Sequence, residues 1–183
     1  MYKAVILVAN GFQDEEYVYP YYRMLEEGWR VDVASISGLD VFGKYGVPAR
    51  VNRSAEQLSP EDYDLVFIPG GFESPDRLRA DKAVCQFVEA MYDDGRLVAA
   101  ICHGPWVCIT AGIMHGRNAT GYKSIRADII NAGALYLDQP VVCDGNLITG
   151  RHYKDNPDFM REVIVYMRSV HSPRAYASLG AIV

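Results

Sequence analysis

Apolar residues in this chain fall into short unbroken runs, separated by longer stretches of mixed residues. Ala4-Val5-Ile6-Leu7-Val8-Ala9 has no polar interruption, as expected of a parallel strand covered on both faces. Asn10-Gly11 breaks the run, and a helix follows over about residues 15–27, stopped by Gly28. Residues 31–36 alternate as a second strand. Leu65-Val66-Phe67-Ile68 and Leu97-Val98-Ala99-Ala100-Ile101 read as two more buried strands. Further helices are predicted over about 80–94, from Cys102 to about 111, and over 124–132, closed by Gly95, Gly112 and Gly133. A last helix starts near Pro157, a favoured first-turn residue, and reaches about Val170. Asp144-Gly145 joins two short strands, 140–143 and 146–149, as a hairpin. The segment 38–50, with Gly38, Gly43, Gly46 and Pro48, reads as an irregular hairpin or excursion.

Buried strands separated by helices predict a flavodoxin-like α/β fold: a doubly wound, mostly parallel sheet with helices on both faces. With no repeat or linker, residues 1–170 form one domain and 171–183 a C-terminal extension, whose Leu179, Ile182 and Val183 would pack on a partner subunit or fray. Ligands bind such sheets beyond the carboxyl ends of the strands. That rule selects three loops: 10–16, 69–76 and 102–106.

The third loop carries the sharpest signal, Ala100-Ile101-Cys102-His103-Gly104-Pro105. A sulfur nucleophile stands at an abrupt strand-to-helix junction, the logic of a nucleophile elbow. Its place at a helix N-terminus predicts a thiol biased toward thiolate. The N–H groups of His103 and Gly104 are placed to form an oxyanion hole, and His103 is a candidate acid or base. A buried cysteine that merely fills a sheet edge is the bland alternative, against which the switch from apolar strand to Cys-His-Gly-Pro argues. In the first loop Asp14, Glu15 and Glu16 open a helix, where acids complement the helix dipole. One of them can instead face Cys102, and spacing does not choose among the three.

Composition narrows the class. With 50% apolar residues in 183, intrinsic disorder is excluded. Against 23 acidic side chains stand 18 basic ones, a formal net charge of −5, so no nucleic-acid partner is expected. No apolar run approaches the ~18 residues that cross a bilayer, so no membrane partner is expected, and no signal-peptide cleavage site appears. Cys85, Cys102, Cys108 and Cys143 form no CxxC motif, which points to a reduced, cytoplasmic compartment. His115, His152 and His171 show no metal spacing, and neither metal nor cofactor is expected.

Four segments together carry a resemblance: Gly11-Phe12-Gln13-Asp14-Glu15-Glu16-Tyr17-Val18-Tyr19-Pro20, Pro69-Gly70-Gly71, Ala100-Ile101-Cys102-His103-Gly104-Pro105-Trp106, and Ile125-Arg126-Ala127-Asp128-Ile129-Ile130-Asn131-Ala132-Gly133. Over about residues 1–170 the chain resembles the PfpI-type intracellular protease/amidase family. That family lies in the class I glutamine-amidotransferase-like superfamily, with the parkinsonism-associated deglycase proteins. The resemblance implies that the acid four residues before the helix proline, Glu16, hydrogen-bonds the Cys102 sulfur and shuttles a proton. It implies a third triad member from a neighbouring subunit, best matched by Asp76 with Glu73 as rival, and hence a homo-oligomer, dimer or hexamer. Gly71 and Tyr122 match pocket positions. The family's usual Asp-Leu-Pro loop is replaced after Arg151 by His152-Tyr153-Lys154-Asp155-Asn156-Pro157, which places His152 and Tyr153 at the pocket or leaves an ordinary surface loop.

The expected activity is cofactor-independent thiol chemistry on a small reactive carbonyl, of glyoxalase or deglycase type, with Cys102, Glu16 and His103 carrying it. The alternatives are a cysteine peptidase or amidase, a hydratase or hydrolase of a specialised C–N substrate, and a non-catalytic redox or stress protein with an oxidisable Cys102.

Overall fold

The structure, a computed structural model, describes residues 1–170, so the expectations for 171–183 lie outside the described residues. Five strands follow the apolar runs and the hairpin signal: β1 (Lys3–Leu7), β2 (Arg30–Ser35), β6 (Leu65–Ile68), β7 (Leu97–Ile101) and β11 (Leu147–Gly150). The shorter strands are β3 (Val41–Phe42), β4 (Pro48–Ala49), β5 (Arg53–Ser54), β8 (Asn118–Ala119), β9 (Leu135–Tyr136) and β10 (Val141–Asp144). The helices are α1 (Asp14–Glu26), α2 (Glu73–Arg79), α3 (Lys82–Asp93), α4 (Pro105–Thr110), α5 (Arg126–Asn131) and α6 (Asn156–Val170).

Seven strands form the main sheet in the order β10-β11-β7-β6-β1-β2-β5. Every pairing is parallel except β10 with β11. Successive strand residues point to opposite faces, and both faces are covered. Val5, Val66 and Val98 pack with Val88 and Met91 of α3 and with Val107 of α4. Ile6, Phe67 and Ala99 pack with Met24 of α1 and with Phe159 and Val163 of α6. Two apolar layers on one sheet explain why the strands read as continuous runs rather than as alternations. Among the described residues no helix is long and apolar enough to cross a membrane.

The helix predicted over 80–94 is α3, which starts where Asp81 accepts a hydrogen bond from the Val84 N–H (3.0 Å) and caps it. One expectation is corrected. The loop predicted over 69–76 ends at Phe72, because Pro75 lies in the first turn of α2, where no N–H is needed. Asp76 is therefore a helical residue.

Candidate active site

The three loops meet where expected. Strand β6 lies between β1 and β7, so the Gly70-Gly71 turn separates the start of α1 from the residue after β7. That residue, Cys102, is the only non-glycine residue with positive φ among those described, at 62°. Such a backbone costs about 1–2 kcal/mol and persists only when its surroundings enforce it. Here the Cys102 N–H donates to the Gly150 carbonyl (2.9 Å), and its own carbonyl accepts from the Tyr122 N–H (2.8 Å). The strained turn is the elbow expected from the sequence, with the side chain held over the sheet end.

Of the two N–H groups expected beside the sulfur, that of His103 is there and that of Gly104 is not. The Gly104 N–H is committed to the Ile101 carbonyl (2.8 Å) by the tight turn that starts α4. The N–H groups of Gly71 and His103 are the two that hydrogen-bond the Cys102 sulfur.

Structure sorts the three acids of the first loop. Glu15 is exposed and accepts from the Gln13 amide (2.6 Å). Asp14 is buried and turns away from the sulfur: one carboxylate oxygen accepts from the Tyr45 N–H and the other from the Val47 N–H, both at 2.9 Å. Glu16 is wholly buried beside Cys102, with Oε2 accepting from the Gly70 N–H (2.7 Å) and Oε1 without a partner in hydrogen-bonding geometry. Only glycine fits at position 70, since a Cβ there would lie 2.6 Å from both Cys102 Cβ and Glu16 Oε2. The turn of α1 that bears Glu16 is further held by Asn156, whose amide donates to the Glu15 carbonyl (2.9 Å).

Burial pushes the Glu16 carboxyl up to about 8, against hydrogen bonds from Gly70 and Cys102 that pull it down. Burial also pushes the Cys102 thiol up, and a charged Glu16 pushes it further, while the Gly71 and His103 N–H groups oppose both. The helix terminus therefore does not make Cys102 acidic, because desolvation outweighs it. The two groups titrate as a pair, since two adjacent negative charges in a dry pocket are prohibitive. When Glu16 holds its proton, its repulsion on the sulfur vanishes. The singly protonated pair is then a proton shared between carboxyl and thiol.

His103 stands with Nδ1 3.3 Å from Cys102 Sγ and Nε2 3.1 Å from Ser124 Oγ. Its ring lies against Trp106 and Tyr122, with centroids 5.2 and 5.1 Å away. Burial, then the Lys44 charge, push it down to about 4, so it is neutral at neutral pH. Within one chain Asp76 does not reach it, and the carboxylate expected at this position is a neighbouring subunit's. Asp76 is exposed on α2, at a separate cavity shared with Glu73 and Trp106.

Above the sulfur opens a cavity of about 360 Å³. One wall is aromatic: Tyr122 stacks on His152 (5.5 Å), which packs on Tyr153 (4.0 Å). Lys44 and Tyr45, from the β3–β4 hairpin, and Phe72 also line the cavity. Among the described residues no group of three or more His, Cys, Asp or Glu is placed to hold a metal ion.

Residues 2–165 match the DJ-1/PfpI family. The chain belongs to that family. Among similar proteins, the deglycase PfpI of Pyrococcus furiosus is 39% identical over 166 residues, which cover 91% of this chain and 99% of that protein. General stress protein 18 of Bacillus subtilis is 41% identical over 168 residues, covering 90% and 97%. Schizosaccharomyces pombe DJ-1 superposes with a TM-score of 0.82 at 27% identity, covering 90% of each chain. A two-domain protein of Anabaena variabilis with DJ-1/ThiJ/PfpI-like and ferritin-like domains gives 0.89 at 34% identity, and this chain spans about half its length.

In this DJ-1/PfpI chain, then, Cys102, His103, Gly71, Tyr122, His152 and Tyr153 share one cavity, with Glu16 buried beneath it. Asp76 of the same chain lines another cavity, and the Gly104 N–H is spent on the turn. Sequence reading missed Lys44, Tyr45 and Ser124. The first two lie in a segment without periodicity, and Ser124 meets His103 only through the folding of the chain between them.

Proposed function

We propose that this DJ-1/PfpI protein is a cofactor-independent cysteine enzyme of small reactive carbonyls, in line with its relatives named deglycases. The observation that carries the reading is Glu16: wholly buried, held neutral up to about pH 8, and coupled to the sulfur. A carbonyl isomerisation needs such a proton carrier. In the singly protonated state of the pair, Cys102 adds to the aldehyde carbon of a 2-oxoaldehyde, forming a C–S bond while the pair's one proton passes to the aldehyde oxygen, with the Gly71 and His103 N–H groups beside it. Glu16, ionised by that transfer, takes the proton from the former aldehyde carbon and returns one to the neighbouring carbon, which leaves a thioester. Water then cleaves the thioester, releasing a 2-hydroxy acid and restoring the thiol. The sum is addition of one water, with no external oxidant or reductant.

An amide-hydrolysing enzyme suits the site less well. It needs an oriented, sufficiently strong base, and His103 is pushed down to about 4 with its outer nitrogen on Ser124 of the same chain. The four free thiols fit a cytoplasmic setting. The test is methylglyoxal consumption without glutathione, followed as lactate, in the parent protein, Cys102→Ser and Glu16→Gln. We expect lactate from the parent and a loss of at least 100-fold in each variant, the scale of general acid–base and nucleophilic contributions. A folded parent protein that makes no lactate would sink the reading.

A further inference from the structure

The active-site cavity has one feature that isomerisation of a neutral 2-oxoaldehyde does not use. Among its lining residues Lys44 is the only one that carries a formal charge at neutral pH, since His103 and His152 are both pushed down. Its ammonium has no carboxylate partner among the described residues and rests 5.3 Å from the Tyr45 ring centroid. The charge reaches the chemistry, because it is the one charge that depresses His103. The Lys44 backbone is also fixed. Its N–H donates to the Phe12 carbonyl (2.8 Å), and Asp14 grips the N–H groups of Tyr45 and Val47 on its far side. A buried carboxylate thus holds a short hairpin so that a cation without a carboxylate partner lines the cavity that also holds the nucleophile, in a chain whose net charge is −5.

We infer that Lys44 is a specificity residue that selects carbonyl compounds whose reacting carbonyl carbon itself bears a carboxylate, the small 2-oxo carboxylates. Addition of the Cys102 sulfur to their carbonyl forms a hemithioacetal or hemithioketal. The C–S bond replaces the C–O π bond, and the thiol proton passes to the carbonyl oxygen. The carboxylate then lies beside the ammonium. Other cations of this rim are less suited: Arg151 is held by Asp138 and Asp155, while Lys123 and Lys154 line a neighbouring cavity behind Tyr122 and His152.

The inference rests on Cys102 as nucleophile but not on turnover of any carbonyl, and alkylation separates the two. Iodoacetate and iodoacetamide are near-isosteric, and each loses iodide to a thiolate, but only iodoacetate carries a carboxylate next to the attacked carbon. The ratio of their rates at Cys102, followed by peptide mass so that Cys85, Cys108 and Cys143 do not contribute, cancels any change in the thiolate fraction. An exposed ion pair is worth up to about fivefold. Lys44→Met is therefore expected to lower the iodoacetate-to-iodoacetamide ratio about fivefold, Lys44→Arg to keep it, and Lys154→Met to leave it near the parent value. A ratio unchanged in Lys44→Met, or lowered as much by Lys154→Met, overturns the inference while Cys102 still stands as nucleophile. Labelling of Cys102 by neither reagent in the folded parent protein overturns both.

Discussion

The φ of 62° at Cys102 reverses the usual order of two substitutions. Alanine normally outranks glycine by up to about 1 kcal/mol, because glycine loses more backbone freedom on folding. In the left-handed region a Cβ costs about 1–2 kcal/mol, which glycine avoids. Both changes remove the thiol and leave a similar small void, so Cys102→Gly is expected to be more stable than Cys102→Ala by about 1 kcal/mol in chemical denaturation. The ordinary order would mean that the turn is relaxed and that the elbow stores no strain. This position could be read in the sequence because a short polar signature interrupts an apolar run. Glu16 could not be read from spacing alone, since Asp14, Glu15 and Glu16 are all acceptable in a first helical turn. What separates them is direction around α1: outward for Glu15, toward the hairpin for Asp14, and under the sulfur for Glu16.

At the scale of elements, the central strands were legible because both faces of the sheet are buried, and the excursion over 38–50 was legible only as an interruption. Its strands have two residues each, too few to show a period, and what orders them is a buried acid 31 and 33 residues away in sequence. Helix α2 escaped for a related reason: Pro75 looks like a loop residue until it is seen in a first turn. The clamp can be tested apart from catalysis. Asp14→Ala removes the acceptor of two N–H groups, each charge-assisted bond worth about 1.5–3 kcal/mol. Amide hydrogen exchange at Tyr45 and Val47 is then expected to speed at least tenfold, while the amides of β6 and β7 hold their protection. Equal loosening of the central strands would mean that Asp14 supports the whole fold rather than the hairpin.

For the molecule as a whole, the buried site acts against stability, and the sign follows from two groups. Glu16 has a carboxyl at about 8 when folded and 4.5 when unfolded, so the folded protein holds an extra proton between those values. Its contribution is complete below pH 4.5 and is lost as pH rises toward 8. His103 lies at about 4 folded and 6.5 unfolded, so its contribution is present above pH 6.5 and is lost as pH falls toward 4. Between 4.5 and 6.5 the two slopes oppose each other. From 6.5 to 8 only Glu16 remains, at about 1.4 kcal/mol per pH unit, or roughly 2 kcal/mol across the interval. For a chain of this size that corresponds to a fall in Tm of about 4–8 °C. Glutamine has the shape of the protonated carboxyl and does not ionise, so Glu16→Gln is expected to flatten the curve between pH 6.5 and 8. That variant should melt above the parent protein at pH 8 although it no longer moves protons. Such an exchange of stability for chemistry is expected where a charge must form in a dry pocket. If the parent curve is already flat over that interval, or if Glu16→Gln falls with the same slope, then Glu16 is not held neutral, and the proton assigned to the Cys102–Glu16 pair lies elsewhere.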